Sequence, residues 1–154
     1  MLSQPRIESL SGSAGGTDSP LFSQCREVRR LVFIEEQRVP AELEWDGLDV
    51  DAEHFAALDE NGTDTAVLAT ARMRILGDSA KAERVAVLAS ERKRGLGRLL
   101  MDAIEARARE RSLSRVHLNA QLSAVPFYEK LGYRSQGDSF LEAGIEHVAM
   151  FKDL

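Results

Sequence analysis

The chain has 154 residues, 44% of them hydrophobic, which suits one domain with a real core. Acidic residues outnumber basic ones 25 to 20, and the resulting formal charge of −5 excludes a general attraction to nucleic acid or anionic lipid. A single cysteine, Cys25, excludes an internal disulfide and a cysteine-built metal site; with no signal-peptide pattern and no apolar run near ~18 residues, a cytoplasmic, metal-free protein off the membrane is expected.

Residues Ser11 to Pro20 are nearly all small or polar, a composition that predicts a mobile loop. Beyond it, Leu21, Phe22, Cys25, Val28, Leu31 and Val32 recur at helical spacing. This amphipathic helix is expected to end near Glu35 to Gln37, ahead of Pro40, with a turn or short second helix after it. His54 to Leu58 reads as a buried strand, Asp59 to Gly62 as a hairpin turn, and Val67 to Ile75 as the return strand. A turn at Gly77 to Ser79 leads into a strand at Val85 to Leu88, making the middle of the chain an antiparallel meander.

The topology then changes. Leu96, Leu99, Leu100, Ala103, Ile104 and Ala108 form one apolar helical stripe, and Val116 to Asn119 is the next strand. Strand, helix and strand predict a parallel pair with a right-handed crossover. A short helix from Val125 to Leu131 stops at Gly132, and the tail around Ala143-Gly144 reads as a closing hairpin of Phe140-Leu141 with His147 to Phe151. The whole is a mixed α/β domain spanning residues 1–154.

Chemistry concentrates where the meander meets the helix. Arg92-Lys93-Arg94-Gly95-Leu96-Gly97-Arg98 places four cations and two glycines in seven residues at a helix start. The glycines allow close backbone approach, and first-turn N–H groups lack intrahelical partners, so a polyanion is expected there. The spacing does not fit a P-loop, which needs four residues between its glycines and a following Lys-Ser/Thr. Nor does it fit a dinucleotide fingerprint, because Leu100 stands at the last glycine position and no acidic residue ends the next strand.

Arg92-x-x-Gly95-x-Gly97 after Val85-Ala86-Val87 resembles the acetyl-coenzyme A signature of the GNAT superfamily of N-acetyltransferases. Asn119-Ala120 followed by Ala124 to Tyr133 (A-V-P-F-Y-E-K-L-G-Y) is similar to its second signature, in the right order. Phe33 to Pro40, Leu43 to Gly47, Asn119 to Gln121 and Glu142 to Ile145 resemble a small bacterial branch, the ElaA-like or YjcF-like acetyltransferases. The first twenty residues lie outside the likeness. The resemblance implies a twisted, mixed but mostly antiparallel sheet splayed between strands four and five, flanked by about four helices. The Ser/Gly-rich stretch departs from the tight first loop that the family implies, with Arg6 to Leu10 the candidate first strand.

The resemblance also assigns roles. Backbone N–H groups and cations from Arg92 through Lys93, Arg94, Gly95, Leu96 and Gly97 to Arg98 would hold the pyrophosphate of acetyl-coenzyme A, and Val85, Ala86 and Val87 would pair with the pantetheine amides. Asn119 and Phe127 would flank that arm, Tyr128 would be the general acid, and the Val87 N–H would meet the oxyanion. Glu83, on the same strand, is the candidate base, offset by two residues from the glutamate of histone-type relatives, where Lys81 stands.

On the acceptor side, eight acidic residues between Glu35 and Glu53 against only Arg38 favour a cationic amine. Glu35, Glu44, His117 and His147 are candidate pocket residues, and Trp45 a candidate cation–π wall. The expected reaction is acetyl transfer from acetyl-coenzyme A to a small primary amine by direct attack in a ternary complex, in a monomer or homodimer. A non-catalytic acyl-coenzyme A-sensing module and a protein lysine or N-terminal acetyltransferase are the alternatives.

Overall fold

A computed structural model describes residues 5–13, 15–61 and 64–154. Its strands are β1 (Arg6–Ser11), β2 (Glu53–Asn61), β3 (Asp64–Leu76), β4 (Ser79–Val87), β5 (Arg115–Gln121), β6 (Arg134–Glu142) and β7 (Ile145–Asp153). The helices are α1 (Pro20–Arg29), α2 (Ala41–Glu44), α3 (Leu96–Glu110) and α4 (Val125–Lys130). The strands form one seven-stranded sheet in the order β1-β2-β3-β4-β5-β7-β6. Every pairing is antiparallel except β4 with β5, whose connection is α3. The expected mixed sheet with one parallel pair and four α-helices is what the chain forms.

Two apolar layers hold the helices to opposite faces. Leu96, Leu100, Met101, Ile104 and Ala108 of α3 are buried against Ala80, Ala82, Val116, Leu118 and Ala120. Truncating such a side chain to alanine typically costs ~2–5 kcal/mol. On the other face Cys25, Val28 and Val32 pack on Ala56, Leu58, Val67 and Ala86. The alternation of burial along β5 is the period-two pattern that a half-covered strand demands.

Several of the described residues of the segment 11–20 take regular structure. Ser11 closes β1, Gly16–Asp18 form a 3₁₀ turn, and Ser19 caps α1 by accepting the Phe22 N–H at 3.1 Å, with Pro20 as first helical residue. Gly12 is there for packing: its N–H donates to the Ala52 carbonyl at 2.7 Å, and a Cβ would lie 1.9 Å from the Asp49 carbonyl oxygen. The first helix does run to Glu36, but its last stretch, Arg30–Glu36, is π-helical, with the Gln37 N–H reaching back to the Val32 carbonyl. Strands β2, β3 and β4 are longer than the apolar pattern suggests, and the hairpin turn expected at Asp59 to Gly62 begins inside β2 and ends outside the described residues.

Candidate active site

Strands β4 and β5 pair only at Ser79 with Arg115, Ala80 with Val116 and Lys81 with His117. Beyond those residues the strands part, so the β5-facing backbone of Ala82 to Val87 has no partner strand. A bulge assists the divergence: Thr70 opposes Ala86 and Arg72 opposes Glu83, leaving Arg84 and Val85 against Ala71 alone. Arg84 adopts the left-handed region there, with φ of 57°. The opening is a cleft of about 840 Å³ bounded by Val85 to Val87, Leu118 to Gln121 and the glycine turn.

At the mouth, Gly95 takes φ of 78° and forms the N-cap of α3 without any side-chain cap. The first-turn N–H groups are therefore left for a ligand. Gly97 answers a different need, since a Cβ there would lie 3.1 Å from the Phe127 ring. Phe127 and Tyr128 meet edge to face at 4.9 Å between ring centres, and Tyr128 meets Tyr133 at 5.8 Å. The Tyr133 hydroxyl donates to Glu105 at 2.9 Å, and the same carboxylate takes Lys152 Nζ at 2.8 Å, so the wall behind Tyr128 is braced from α3. Burial pushes the Tyr128 phenol up to about 12, and no hydrogen bond or charge contributes to that shift.

The cleft gathers Val85, Ala86, Val87, Arg92, Lys93, Gly95, Leu96, Gly97, Asn119, Phe127, Tyr128, Glu83, Glu44 and His147. Asn119 Nδ2 leans toward Glu142 at 3.4 Å, and His147 Nδ1 donates to the Ile145 carbonyl at 2.7 Å. Five expected residues lie off its walls. Arg94 turns back to an ion pair with Glu91, and Arg98 is exposed on α3. Glu35 pairs with Arg30 at 2.9 Å. Trp45 lies under Arg26 and Arg29, at 4.1 and 5.1 Å, so its cation–π partners are the protein's own. His117 lines a neighbouring cavity of about 520 Å³.

The acidic stretch after α1 is not a free negative surface, because arginines distant in sequence pair with part of it. Arg29 binds Glu44 and Asp49, each at 2.8 Å, and fully buried Arg72 binds Asp46 at 2.8 Å, Asp49 at 3.0 Å and Glu83 at 3.1 Å. Arg84 adds contacts of 3.1 Å to both Glu44 and Asp46. Burial alone would raise Glu83, but Arg74, Arg72 and Lys81 outweigh it and hold its carboxyl below the usual range. That makes Glu83 a poorer base than a free carboxylate. Glu44 is instead raised, burial prevailing over its arginines.

Two contacts that the sequence did not disclose cross the cleft from the end of the π-helical segment. Glu36 holds both terminal nitrogens of Arg92 at 2.7 Å, and Gln37 accepts from Gln121 at 2.8 Å. The only advance signal was their adjacency just before Arg38, whose φ of 63° ends the helix.

Residues 32–154 match the acetyltransferase (GNAT) domain family. The chain is 42% identical over 127 residues to the N-acetyltransferase YjcF of Bacillus subtilis (strain 168), covering 82% of this chain and 88% of YjcF. Among solved structures it resembles an acyl-CoA N-acyltransferase from Pseudomonas aeruginosa, with 26% identity and a TM-score of 0.80 over 97% of this chain and 99% of that one. Escherichia coli ElaA, at 22% identity, shares the fold with a TM-score of 0.80 over 97% and 99% of the two chains.

Proposed function

The chain belongs to the GNAT acetyltransferase family, and we propose that it moves acetyl from acetyl-coenzyme A to a primary amine on a small molecule, by direct attack in a ternary complex. The observation that carries this reading is the combination of an uncapped, glycine-lined helix start with a parted parallel strand pair. A pyrophosphate suits the first, a peptide-like arm the second. Two solved structures of the same fold are complexes with coenzyme A, one an aminoglycoside 6′-N-acetyltransferase at 17% identity, the other a Bacillus subtilis acetyltransferase at 19%.

The first-turn N–H groups from Gly95 to Gly97, with Lys93 and Arg92, would hold the pyrophosphate, and Val85 to Val87 would receive the pantetheine amides as an added strand. Arg92 would exchange Glu36 for phosphate oxygen. Asn119 and Phe127 would flank the arm. Bound there, the thioester supplies an activated acetyl group.

The cleft beyond Val85, toward Lys81, Glu83, Leu43 and Asp46, is left for the acceptor. The Val87 N–H would face the charge developing on the acyl oxygen, and Tyr128 would hand a proton to the departing sulfur. Because Glu83 is already engaged by Arg72 and Arg74, the acceptor proton leaves to water in this reading. Titration calorimetry with acetyl-coenzyme A and a thiol-release screen over amines, amino sugars and lysine peptides test it. Saturable binding with turnover of a small amine is expected; absence of binding would remove the reading, and turnover of peptides alone would replace the acceptor class.

A further inference from the structure

Lys81 stands where β4 and β5 part. Its partner across β3 is Arg74 and across β5 is His117, so directly opposed residues place three cation-capable side chains in a row. The row is on the sheet face opposite α3, since Ala80, Ala82, Val116 and Leu118 turn to that helix. Like charges directly opposite one another destabilise a sheet unless an anion answers them.

Glu83 answers only in part. Its Oε1 accepts from Arg74 at 2.5 Å and Arg72 at 3.1 Å, and its Oε2 from Arg74 at 3.2 Å. Lys81 Nζ stands 3.7 Å from Oε2, past hydrogen-bond reach, on a side chain only 21% exposed. Burial, with Lys81 next, pushes His117 below its ordinary value, so its imidazole is neutral and can donate one N–H. An ammonium with three donors and no hydrogen-bond acceptor in reach among the described residues is open to an incoming oxygen. The row also sits where two spaces meet: Lys81 lines the main cleft, His117 the smaller cavity, and Asn119 both.

We propose that Lys81, flanked by Arg74 and by His117 of the adjoining cavity, forms an anion subsite at the acceptor end of the cleft, and that the acceptor is an amine that also bears a carboxylate. The substrate-class part rests on the acyl-transfer reading above. The surrounding charge agrees with it: Arg29, Arg72, Arg74, Lys81 and Arg84 are five cations against the four carboxylates of Glu44, Asp46, Asp49 and Glu83. A local positive excess resists a second ammonium and so favours the neutral amine that must attack, while it welcomes a carboxylate.

The test pairs each proteinogenic α-amino acid with its carboxamide and its decarboxylated amine, adding O-phosphoethanolamine against ethanolamine. Two readouts are taken: kcat/KM with acetyl-coenzyme A on wild type, K81M and K81R, and, on wild type, the Lys81 Nζ chemical shift as each α-amino acid is added with and without coenzyme A. The expected result is a preference of about tenfold or more for the carboxylate-bearing member of at least one pair, one charge-assisted contact being worth ~1.5–3 kcal/mol. K81M should abolish the preference and K81R restore most of it. The titration should move the Lys81 resonance saturably, and this part stands even if no acetyl transfer is found. A preference that survives K81M, an unmoved resonance, or binding confined to the phosphate compound would each overturn the proposal. Failure to bind acetyl-coenzyme A would instead overturn the reading beneath it.

Discussion

Burial is the sole influence on the Tyr128 phenol, and it raises the pKa to about 12. The sign matters for the proposed role: the group stays protonated through neutral and alkaline solution, so a proton donor is present wherever the protein is folded. Tyr128→Phe removes the hydroxyl and keeps the ring contacts with Phe127 and Tyr133. We expect kcat to fall by about 10²- to 10⁴-fold, the usual span for a lost acid–base group, with coenzyme A affinity within about twofold of wild type. Steady-state thiol release and calorimetry measure the two quantities, and equal kcat values would strike Tyr128 from the mechanism. In wild type, kcat should show no loss from phenol ionisation up to about pH 10, roughly two units below that pKa. A second residue-scale expectation concerns Glu36, whose bidentate hold on Arg92 competes with phosphate. The pair is exposed and worth only ~0.2–1 kcal/mol, so Glu36→Gln should tighten coenzyme A binding by at most about fivefold. Weaker binding in that variant would make Glu36 a support of the loop and not a competitor.

Among the elements, the opening turn of α3 is where sequence and geometry agree most closely, and the reason is chemical. A left-handed N-cap and a ring pressed against the helix both demand glycine, so Gly95 and Gly97 leave a visible mark. Gly95→Ala should lower stability by ~1–2 kcal/mol through its φ of 78°, with open space around the new methyl leaving conformation as the only cause. Urea denaturation would read it, and an unchanged midpoint would mean that the turn relaxes. The β4 bulge left no such mark. Arg84 occupies a similar left-handed conformation but is an ordinary arginine in sequence, held by Glu44 and Asp46 from some forty residues away. Strand β4 is likewise longer than its apolar stretch, because Lys81 and Glu83 turn their charges to the cleft face and interrupt the apolar run. The same blindness explains the acidic segment after α1. Local composition records Glu44, Asp46 and Asp49, whereas their partners Arg29 and Arg72 belong to other elements and reach them only through the fold.

For the molecule as a whole, that buried knot of charge ties the segment after α1 to the sheet, and its pH response follows from the shifts. Burial by itself would raise Asp46, Asp49 and Glu83, but hydrogen bonds and charge from Arg72, Arg29 and Arg74 prevail and leave all three lowered. A carboxyl lowered by folding binds fewer protons in the native state. Its stabilisation is therefore complete above the unfolded value, near ~4, and is lost as pH falls through the folded value. His54, lowered by burial, adds loss of the same sign beginning near ~6.5. Glu44, raised by burial, has the opposite sign but is one carboxyl against three and a histidine, so the melting temperature should fall from pH 6 toward pH 3. Arg72, with no exposed surface, joins three of these carboxylates, so Arg72→Met leaves buried charge uncompensated and should cost about 3–5 kcal/mol. It should also flatten the acid limb: without Arg72 the burial that raises the carboxyls is opposed by fewer partners, and protonation becomes less costly. Arg72→Lys is the control, since one ammonium keeps the charge but cannot fork to three carboxylates, and it should fall between the two. Melting curves of the three proteins across that range decide the matter. If Arg72→Met kept the wild-type slope at reduced stability, the acid response would arise outside this knot; if stability were also unchanged, burying these ions would have gained the fold nothing over an apolar contact.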